Sequence, residues 1–236
     1  LRLTYYCYDV NLLRGSWAQW VCMGAASFTI FYGAARAVKE THWKRRLAWS
    51  TVANLSYILF GATLMTPAGM SGAMLHMAFH AEIKILAFFC AGAVLCRTGR
   101  EYIPDLAGLG RKMPVTFGCF TVAAVALVGI PPFSGFVSKW SLLSAAADAG
   151  TPMAYLGAGV LLTAALLTAI YMFTTVSKAW FPSKSDDLRG LQTVCEADWR
   201  MLVPMVLLAV GILVTGLCGE PIARAVAEIV RTGVGA

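Results

Sequence analysis

Charged residues are scarce in this sequence of 236 residues. Asp, Glu, Lys and Arg make up 13% of it, whereas soluble domains carry roughly 25%. Apolar residues make up 58%, and the mean hydropathy is +0.69. A globule of this size cannot hide so much apolar surface from water. The composition therefore argues strongly against a soluble enzyme or a disordered chain and indicates a polytopic membrane protein.

Signals for a metal, a cofactor or a leader peptide are also lacking. None of the seven cysteines forms a C-x-x-C pair, and most lie in apolar runs, where cysteine behaves as a small hydrophobic residue. The first residues contain no basic region followed by an apolar stretch, so we expect no signal peptide. Because the chain begins at Leu1, we expect it to be part of a longer subunit. We expect no cofactor and no metal in this chain.

Long apolar runs predict an all-α membrane protein with six transmembrane helices, since a span needs about 20 mostly apolar residues. The predicted spans are 17–35, 47–65, 71–96, 113–147, 151–177 and 201–219. The first five form one repeat unit over residues 17–180. The remaining segments are expected to be an interfacial segment at 1–16, a cytoplasmic loop at 181–200 and an amphipathic tail at 220–236.

The tail has the pattern of an amphipathic helix. Ile222, Val226 and Ile229 fall on one helical face. The charged residues of the tail fall on another face, and they are Arg224, Glu228 and Arg231. This pattern fits a helix lying in the membrane interface and equally a helix packed against its own bundle.

Thirteen of the nineteen basic residues lie in three connections, which follow the first, third and fifth spans. Lys44, Arg45 and Arg46 are among them, and the two short opposite loops carry none. The positive-inside rule predicts that these connections face the cytoplasm and that both ends lie outside. The net charge of +7 is thus loop charge that orients the protein, so we expect no nucleic-acid partner. We expect an integral protein of a bacterial or archaeal plasma membrane.

The third span carries an unusual set of ionisable residues. His76, His80 and Lys84 are spaced by four, which places them on one helix face at intervals of about 6 Å. A cation at mid-membrane costs roughly 2.5–3.5 kcal/mol, so Lys84 should face protein or water. Histidine titrates near neutrality, and a desolvated lysine releases its proton more readily. Three such groups in register predict a path along which protons move.

Three other interpretations of these residues are weaker or open. In a purely structural role, the histidines would be hydrogen-bonded core residues and the lysine would pair with a carbonyl. Such a role would explain a single ionisable residue in the span better than three in register. A zinc site would need a third ligand, and Lys84 would repel the ion. Glu82 lies about 200° around the helix from both His80 and Lys84, which argues against a direct bond to Lys84. Glu82 could pair with a neighbouring helix or subunit or respond to Lys44, and it is a candidate coupling residue.

The fourth run is too long for one straight helix. Gly129, Pro131, Pro132 and Gly135 predict a break at 129–135. Unpaired backbone at membrane depth is tolerated where it is buried in protein or lines a cavity, and broken helices mark ion sites in transporters. Lys139 lies two turns beyond the break, which a simple proline kink would not explain.

Four motifs together resemble a known family. Residues 44–50 read KRRLAWS, 76–84 read HMAFHAEIK, 108–114 read GLGRKMP and 129–140 read GIPPFSGFVSKW. They look like the antiporter-like, proton-translocating L, M and N type subunits of respiratory complex I, a module also found in Mrp sodium/proton antiporters and membrane-bound hydrogenases. Trp49 stands where a tyrosine is usual.

The resemblance implies a fold of about fourteen helices built on two inverted five-helix repeats, of which this chain matches the second repeat and the last helix. It implies that His76, His80 and Lys84 belong to a central hydrophilic axis. Lys44 matches a further lysine of that axis, and Lys139 matches the residue nearest the outlet. The first repeat, with its glutamate–lysine pair, is not in this chain.

The expected function is therefore proton translocation by the C-terminal half of a subunit in a complex-I-like redox assembly. Lys84 would hold and pass the proton, the two histidines would relay it, and Lys139 would release it. The chain itself would carry no redox chemistry, and its partners would be other membrane subunits and the bilayer. The alternatives are an Mrp-type cation/proton antiporter subunit, in which sodium could move, and a structural subunit. A structural subunit would be expected to lose its costly intramembrane charges.

Overall fold

A computed structural model describes residues 13–183 and 194–234 of the chain. Its helices are α1 Trp17–Lys39, α2 Trp43–Thr63, α3 Pro67–Thr98, α4 Pro114–Val128, α5 Ser134–Asp148, α6 Pro152–Trp180, α7 Trp199–Leu217 and α8 Gly219–Val234. Two 3₁₀ turns, Ile103–Leu106 and Leu109–Arg111, precede α4. The predicted interfacial segment at 1–16 and loop at 181–200 lie mostly outside the described residues.

Local side chains explain where the long helices begin. Ser16, Thr66 and Thr151 each accept a hydrogen bond from a backbone amide of the first turn of α1, α3 and α6, respectively. Proline follows Thr66 and Thr151 at the first position of the helix, where no hydrogen bond within the helix is lost by its lack of an amide hydrogen. Helix α3 ends at Gly99, which adopts the left-handed conformation common after a helix. These signals are local, so they set the helix starts independently of packing.

A carboxylate from outside the helix caps α4. Glu196 Oε2 accepts from the backbone amide of Val115 at 2.8 Å, and Glu196 Oε1 accepts from Thr116 Oγ1 at 2.6 Å. The negative charge lies at the positive end of the helix dipole. This contact ties the connection before α7 to the start of α4.

Helix α3 lies at the centre of the bundle. It packs against α2, α4, α5, α7 and α8, and it is the most buried of the long apolar helices. One apolar cluster joins α3 to α4 and α6 around Phe117, Phe120 and Tyr171, and a second joins α1, α2, α5 and α6 around Ile30 and Phe60. The central position of α3 places its polar face inside protein.

Four helices, α1, α3, α6 and α7, are long and apolar enough to cross a membrane. The 3₁₀ turns with α4 pass the same test as a pair, but the pair bends by 117°. Helices α4 and α5 have 15 residues each, which is about 22 Å and shorter than a hydrocarbon core of about 30 Å. The chain is therefore an integral membrane protein that is all-helical over residues 13–183 and 194–234, with four to five candidate spans in those residues.

The tail packs against its own bundle, which is one of the two arrangements that its pattern allows. Val226, on the predicted apolar face, and Val230 contact a small apolar cluster that includes Met70 and Met74 of α3. Ile229, predicted to share the apolar face, is 61% exposed. The contact therefore includes Val226 of the predicted face but not Ile229.

Arg46 is not the solvated loop charge that the charge census assumed. It lies in the first turn of α2 and is only 7% exposed. Its guanidinium donates to the backbone oxygens of Glu40, Tyr171 and Val38. It also donates to two hydroxyl oxygens of α6, those of Thr174 and Thr175. The planar fork of five donors suits this set, and it binds the start of α2 to α6.

Replacing Arg46 by Lys should destabilise the bundle, because one ammonium has three hydrogens and cannot bind all five acceptors that the guanidinium binds. We expect the free energy of unfolding to fall by about 1–3 kcal/mol, because buried acceptors lose their hydrogen bonds to a charged donor. Thermal melting of detergent-solubilised protein, followed by tryptophan fluorescence, measures this. Arg45→Lys is the matched control, since Arg45 is exposed. Equal melting temperatures for the two variants would contradict the prediction.

Candidate functional site

The two histidines and Lys84 lie on one buried face of α3, with His76, His80 and Lys84 exposed by 2%, 4% and 6%. The imidazole rings of His76 and His80 stack at 5.6 Å between centroids with an interplanar angle of 19°. The spacing of four residues produces this stacking, because it places side chains one turn apart on the same face. The helix thus presents two titratable rings in contact, followed by an ammonium.

Lys84 is held by the backbone of α2. Its Nζ donates to the carbonyl oxygen of Leu47 at 2.9 Å. Leu47 lies one turn beyond Lys44, which is half-buried in the first turn of α2. Among the described residues no hydrogen bond joins Lys44 to the other predicted site residues. The structure thus places Lys44 on the helix that holds Lys84 without bringing the two ammonium groups into contact.

His76 connects α3 to the helix beyond the break. Its Nδ1 lies 3.0 Å from Ser138 Oγ, and Ser138 Oγ lies 3.2 Å from the carbonyl oxygen of Gly135. The ring of Tyr57 stacks on the other side of His76 at 5.3 Å, and the Tyr57 hydroxyl donates to the carbonyl oxygen of Leu161. His76 is therefore fixed between a hydroxyl from α5 and a ring from α2.

The helix is broken where the prolines lie. Helix α4 ends at Val128, Gly129 has φ +92°, and α5 begins at Ser134 after the cis peptide between Pro131 and Pro132. Gly135 passes so close to the carbonyl of Ala126 that a Cβ there would collide with it. The two short helices therefore pack closely at the break. A side chain at position 135 would prevent this packing.

Lys139 closes the end of α4. Its Nζ donates to the carbonyl oxygens of Leu127 at 2.6 Å and Val128 at 3.1 Å, which have no partner within the helix. The ammonium also lies 5.6 Å from the centre of the Tyr57 ring. A cation at the negative end of a helix dipole is stabilised. Lys139 therefore lies next to the residue on which His76 stacks.

Contacts join His80, His76, Tyr57, Ser138 and Lys139, and Lys84 lies one turn beyond His80 on the same face of α3. We call these six residues the α3–α5 file. Sequence analysis missed Tyr57 and Ser138. Ser138 directly precedes Lys139, so the motif contained the signal, whereas the position of Tyr57 depends on how α2 and α3 align. The file joins the middle of α3 to the break.

Several buried polar atoms along the file have no protein partner among the described residues. They are both ring nitrogens of His80, His76 Nε2, Ser134 Oγ and Asn54 Oδ1. Buried polar groups of this kind are normally satisfied by ordered water. The arrangement therefore suits water molecules bridging the file, as proton transfer between residues 5–6 Å apart requires.

A second polar cluster, also missed from sequence, lies between α2 and α6. The Tyr171 hydroxyl lies 2.7 Å from Ser50 Oγ and 3.2 Å from Thr168 Oγ1, and all three residues are buried. The carbonyl of Tyr171 accepts a hydrogen bond from Arg46. The side chains of Arg46 and Ser50 thus form a polar cluster with α6, and they flank Leu47, whose carbonyl binds Lys84.

Glu82 faces away from the file. It is half-buried between α3 and α7, where its Oε2 lies 3.2 Å from Thr215 Oγ1. The expected absence of a direct bond to Lys84 follows from helix geometry, and the neighbouring-helix alternative matches this placement. The structure places Glu82 and Lys44 outside the file. It brings four of the predicted residues into the file: His76, His80, Lys84 and Lys139.

A family model described as NADH:quinone oxidoreductase/Mrp antiporter, TM, matches residues 4–168. The chain is 35% identical over 206 residues to NADH-quinone oxidoreductase subunit N of Desulforudis audaxviator, covering 84% of this chain and 40% of that protein. It is 33% identical over 205 residues to F(420)H(2) dehydrogenase subunit N of Methanosarcina mazei, covering 83% and 40%. The chain thus spans less than half the length of these relatives.

Solved structures show the same fold. The Mrp complex from Dietzia sp. contains a chain that matches 99% of this one with a TM-score of 0.85 and 25% identity, and 50% of that chain is covered. Respiratory complex I from Thermus thermophilus matches 90% with a TM-score of 0.68, at 23% identity and 45% coverage. The resemblance inferred from the four motifs is confirmed: the chain belongs to the NADH:quinone oxidoreductase/Mrp antiporter transmembrane family.

Proposed function

We propose that this chain is the C-terminal half of a subunit that translocates protons across an energy-transducing membrane, within a complex-I-like redox assembly. The observation that carries the proposal is the α3–α5 file. It consists of ionisable and polar side chains, buried or half-buried in an apolar bundle, in which His76 contacts the ring of His80, the ring of Tyr57 and the hydroxyl of Ser138. Buried ionisable groups in a membrane are costly and are retained where ions or protons move.

The residues of the file have distinct roles in this proposal. Lys84 holds a proton at the centre of α3, and His80 and His76 pass it along their stacked rings through bridging water. Ser138 orients His76, and Lys139 releases the proton beyond the break. Like-charge repulsion couples the protonation of the two lysines, so a change at one favours a change at the other. Electron transfer in other subunits supplies the driving force.

We also propose that the chain crosses the membrane six times, with α2 as one span and α4 together with α5 as one broken span. Both ends then lie outside, and the positively charged connections face the cytoplasm. Helices α1 to α6 would form the second of two inverted repeats. The membrane would be the bacterial or archaeal plasma membrane, and the partners would be further membrane subunits. Named relatives and neighbours that are parts of multisubunit complexes support this.

Replacing Lys84 by Met should abolish coupled proton translocation while the complex still assembles, because Met fills the space without binding a proton. We expect a loss of at least about a hundredfold, since removal of a group that transfers protons costs about 10²–10⁴-fold in rate. The measurement is acidification by inverted membrane vesicles upon addition of the electron donor. Lys112→Met, at an exposed loop position, is the control. Normal pumping by the assembled Lys84→Met complex would refute the proposed function.

Replacing Ser138 by Ala should slow translocation without stopping it, because His76 then loses its hydrogen-bond partner and its fixed orientation. We expect a decrease of about five- to tenfold, equivalent to 1–1.4 kcal/mol on a transfer step. The same vesicle assay measures it. Ser144→Ala, two turns further along α5 and only partly buried, is the matched control. Equal rates for the two serine variants would remove Ser138 from the path.

A cation/proton antiporter of the Mrp kind is the second candidate, and the similarity of the whole described bundle to a chain of an Mrp complex favours it. The two functions differ in their need for sodium and for electron transfer. Proton movement driven by a sodium gradient in vesicles without an electron donor would favour the antiporter. Proton movement that requires the electron donor and continues without sodium would favour the redox-driven pump.

A further inference from the structure

Glu82 is an acidic residue in the middle of α3 that the α3–α5 file does not use. Its carboxyl lies in the seam between α3 and α7, half-buried. No basic group lies within ion-pair distance of it among the described residues, since Lys84 binds the carbonyl of Leu47 on the other side of the helix. A lone carboxylate in such a place is costly, so its hydrogen bonds are informative.

The hydrogen bonds of Thr215 indicate which form of the carboxyl fits. Thr215 Oγ1 lies 2.8 Å from the carbonyl oxygen of Gly211 and 3.2 Å from Glu82 Oε2. A hydroxyl has one hydrogen, whereas the carbonyl and an ionised carboxyl can only accept, so with Glu82 ionised that hydrogen serves one of the two contacts. A protonated Glu82 can donate to Thr215 Oγ1, which leaves the Thr215 hydrogen for the backbone carbonyl. The protonated carboxyl is therefore the form in which both contacts are hydrogen bonds.

Glycines on α7 shape this seam. A Cβ at residue 211 would collide with Glu82 Oε1, so Gly211 makes the space in which the carboxyl lies. A Cβ at residue 216 would collide with the backbone between Pro132 and Ser134, within the break. Thr215 and Gly216 are adjacent, and therefore one turn of α7 contacts both Glu82 and the break that precedes Lys139.

We propose that Glu82 binds a proton in the seam between α3 and α7 and thereby positions α7 against the break that carries Lys139. Loss of that proton leaves a carboxylate facing Thr215 Oγ1. Thr215 then turns its hydrogen from the carbonyl of Gly211 to the carboxylate, or water enters the seam, and either change alters how α7 lies against α3 and the break. The link to Lys139 rests on the proposed function, whereas proton binding by Glu82 does not.

Infrared spectroscopy tests proton binding directly. Membranes containing the whole complex, with ¹³C-labelled glutamate, are compared between wild type and Glu82→Gln at neutral pH. We expect the variant to lose an isotope-sensitive carboxylic acid C=O band, and Thr215→Val to move that band, since its hydrogen bond is removed. Glu228→Gln, at an exposed position of α8, is the control for a carboxyl in water. Loss of a carboxylate band in Glu82→Gln would overturn the proposal.

Proton translocation tests the positioning role. The Gln side chain can donate to Thr215 through its amide, whereas Ala cannot. We therefore expect Glu82→Gln to pump within about twofold of wild type and with a flatter pH profile, and Glu82→Ala to be about fivefold slower, the effect of roughly one lost hydrogen bond. Equal rates for Gln and Ala would overturn the role. Normal pumping by Lys84→Met would instead refute the proposed function and leave the infrared result standing.

Discussion

Two lysine ammonium groups, one buried and one half-buried, are held by backbone carbonyl oxygens, and the arrangement of the bundle depends on that constraint. Lys84 donates to Leu47 of α2, and Lys139 donates to the last carbonyls of α4. No carboxylate forms an ion pair with either lysine among the described residues. A carboxylate partner would fix the charge of a buried lysine, since breaking a buried pair leaves an uncompensated ion. Neutral acceptors leave each lysine able to exist with or without its proton.

The break at Gly129 to Phe133 supplies one of these acceptors. A continuous helix would pair its carbonyls internally and leave nothing for Lys139 to bind. By ending α4 in mid-bundle, the chain exposes carbonyl oxygens at the depth where the histidines of α3 lie beside α5. The break is therefore part of the polar path, and the close packing of Gly135 against the carbonyl of Ala126 holds the two short helices together beside it.

Features encoded within a few residues could be predicted from the sequence, and those that depend on helix alignment could not. The common face of His76, His80 and Lys84 follows from their spacing, and the break follows from its prolines. The carbonyl of Leu47, the ring of Tyr57 and the hydroxyl of Thr215 meet their partners 19 to 133 positions away. Arg46 was misjudged because a lysine-arginine motif at a helix start resembles a loop, and only the contact with α6 shows its burial.

Helix α4 is closed by a charged side chain at each end, Glu196 at its start and Lys139 at its finish. This helix is about 22 Å long, and it cannot slide along its axis without breaking hydrogen bonds at both ends. The position of the Lys139 nitrogen along the helix axis therefore depends on the start of α4, where Glu196, in the connection before α7, binds. A displacement of that connection would move α4, and with it the Lys139 nitrogen, without involving the other five residues of the α3–α5 file.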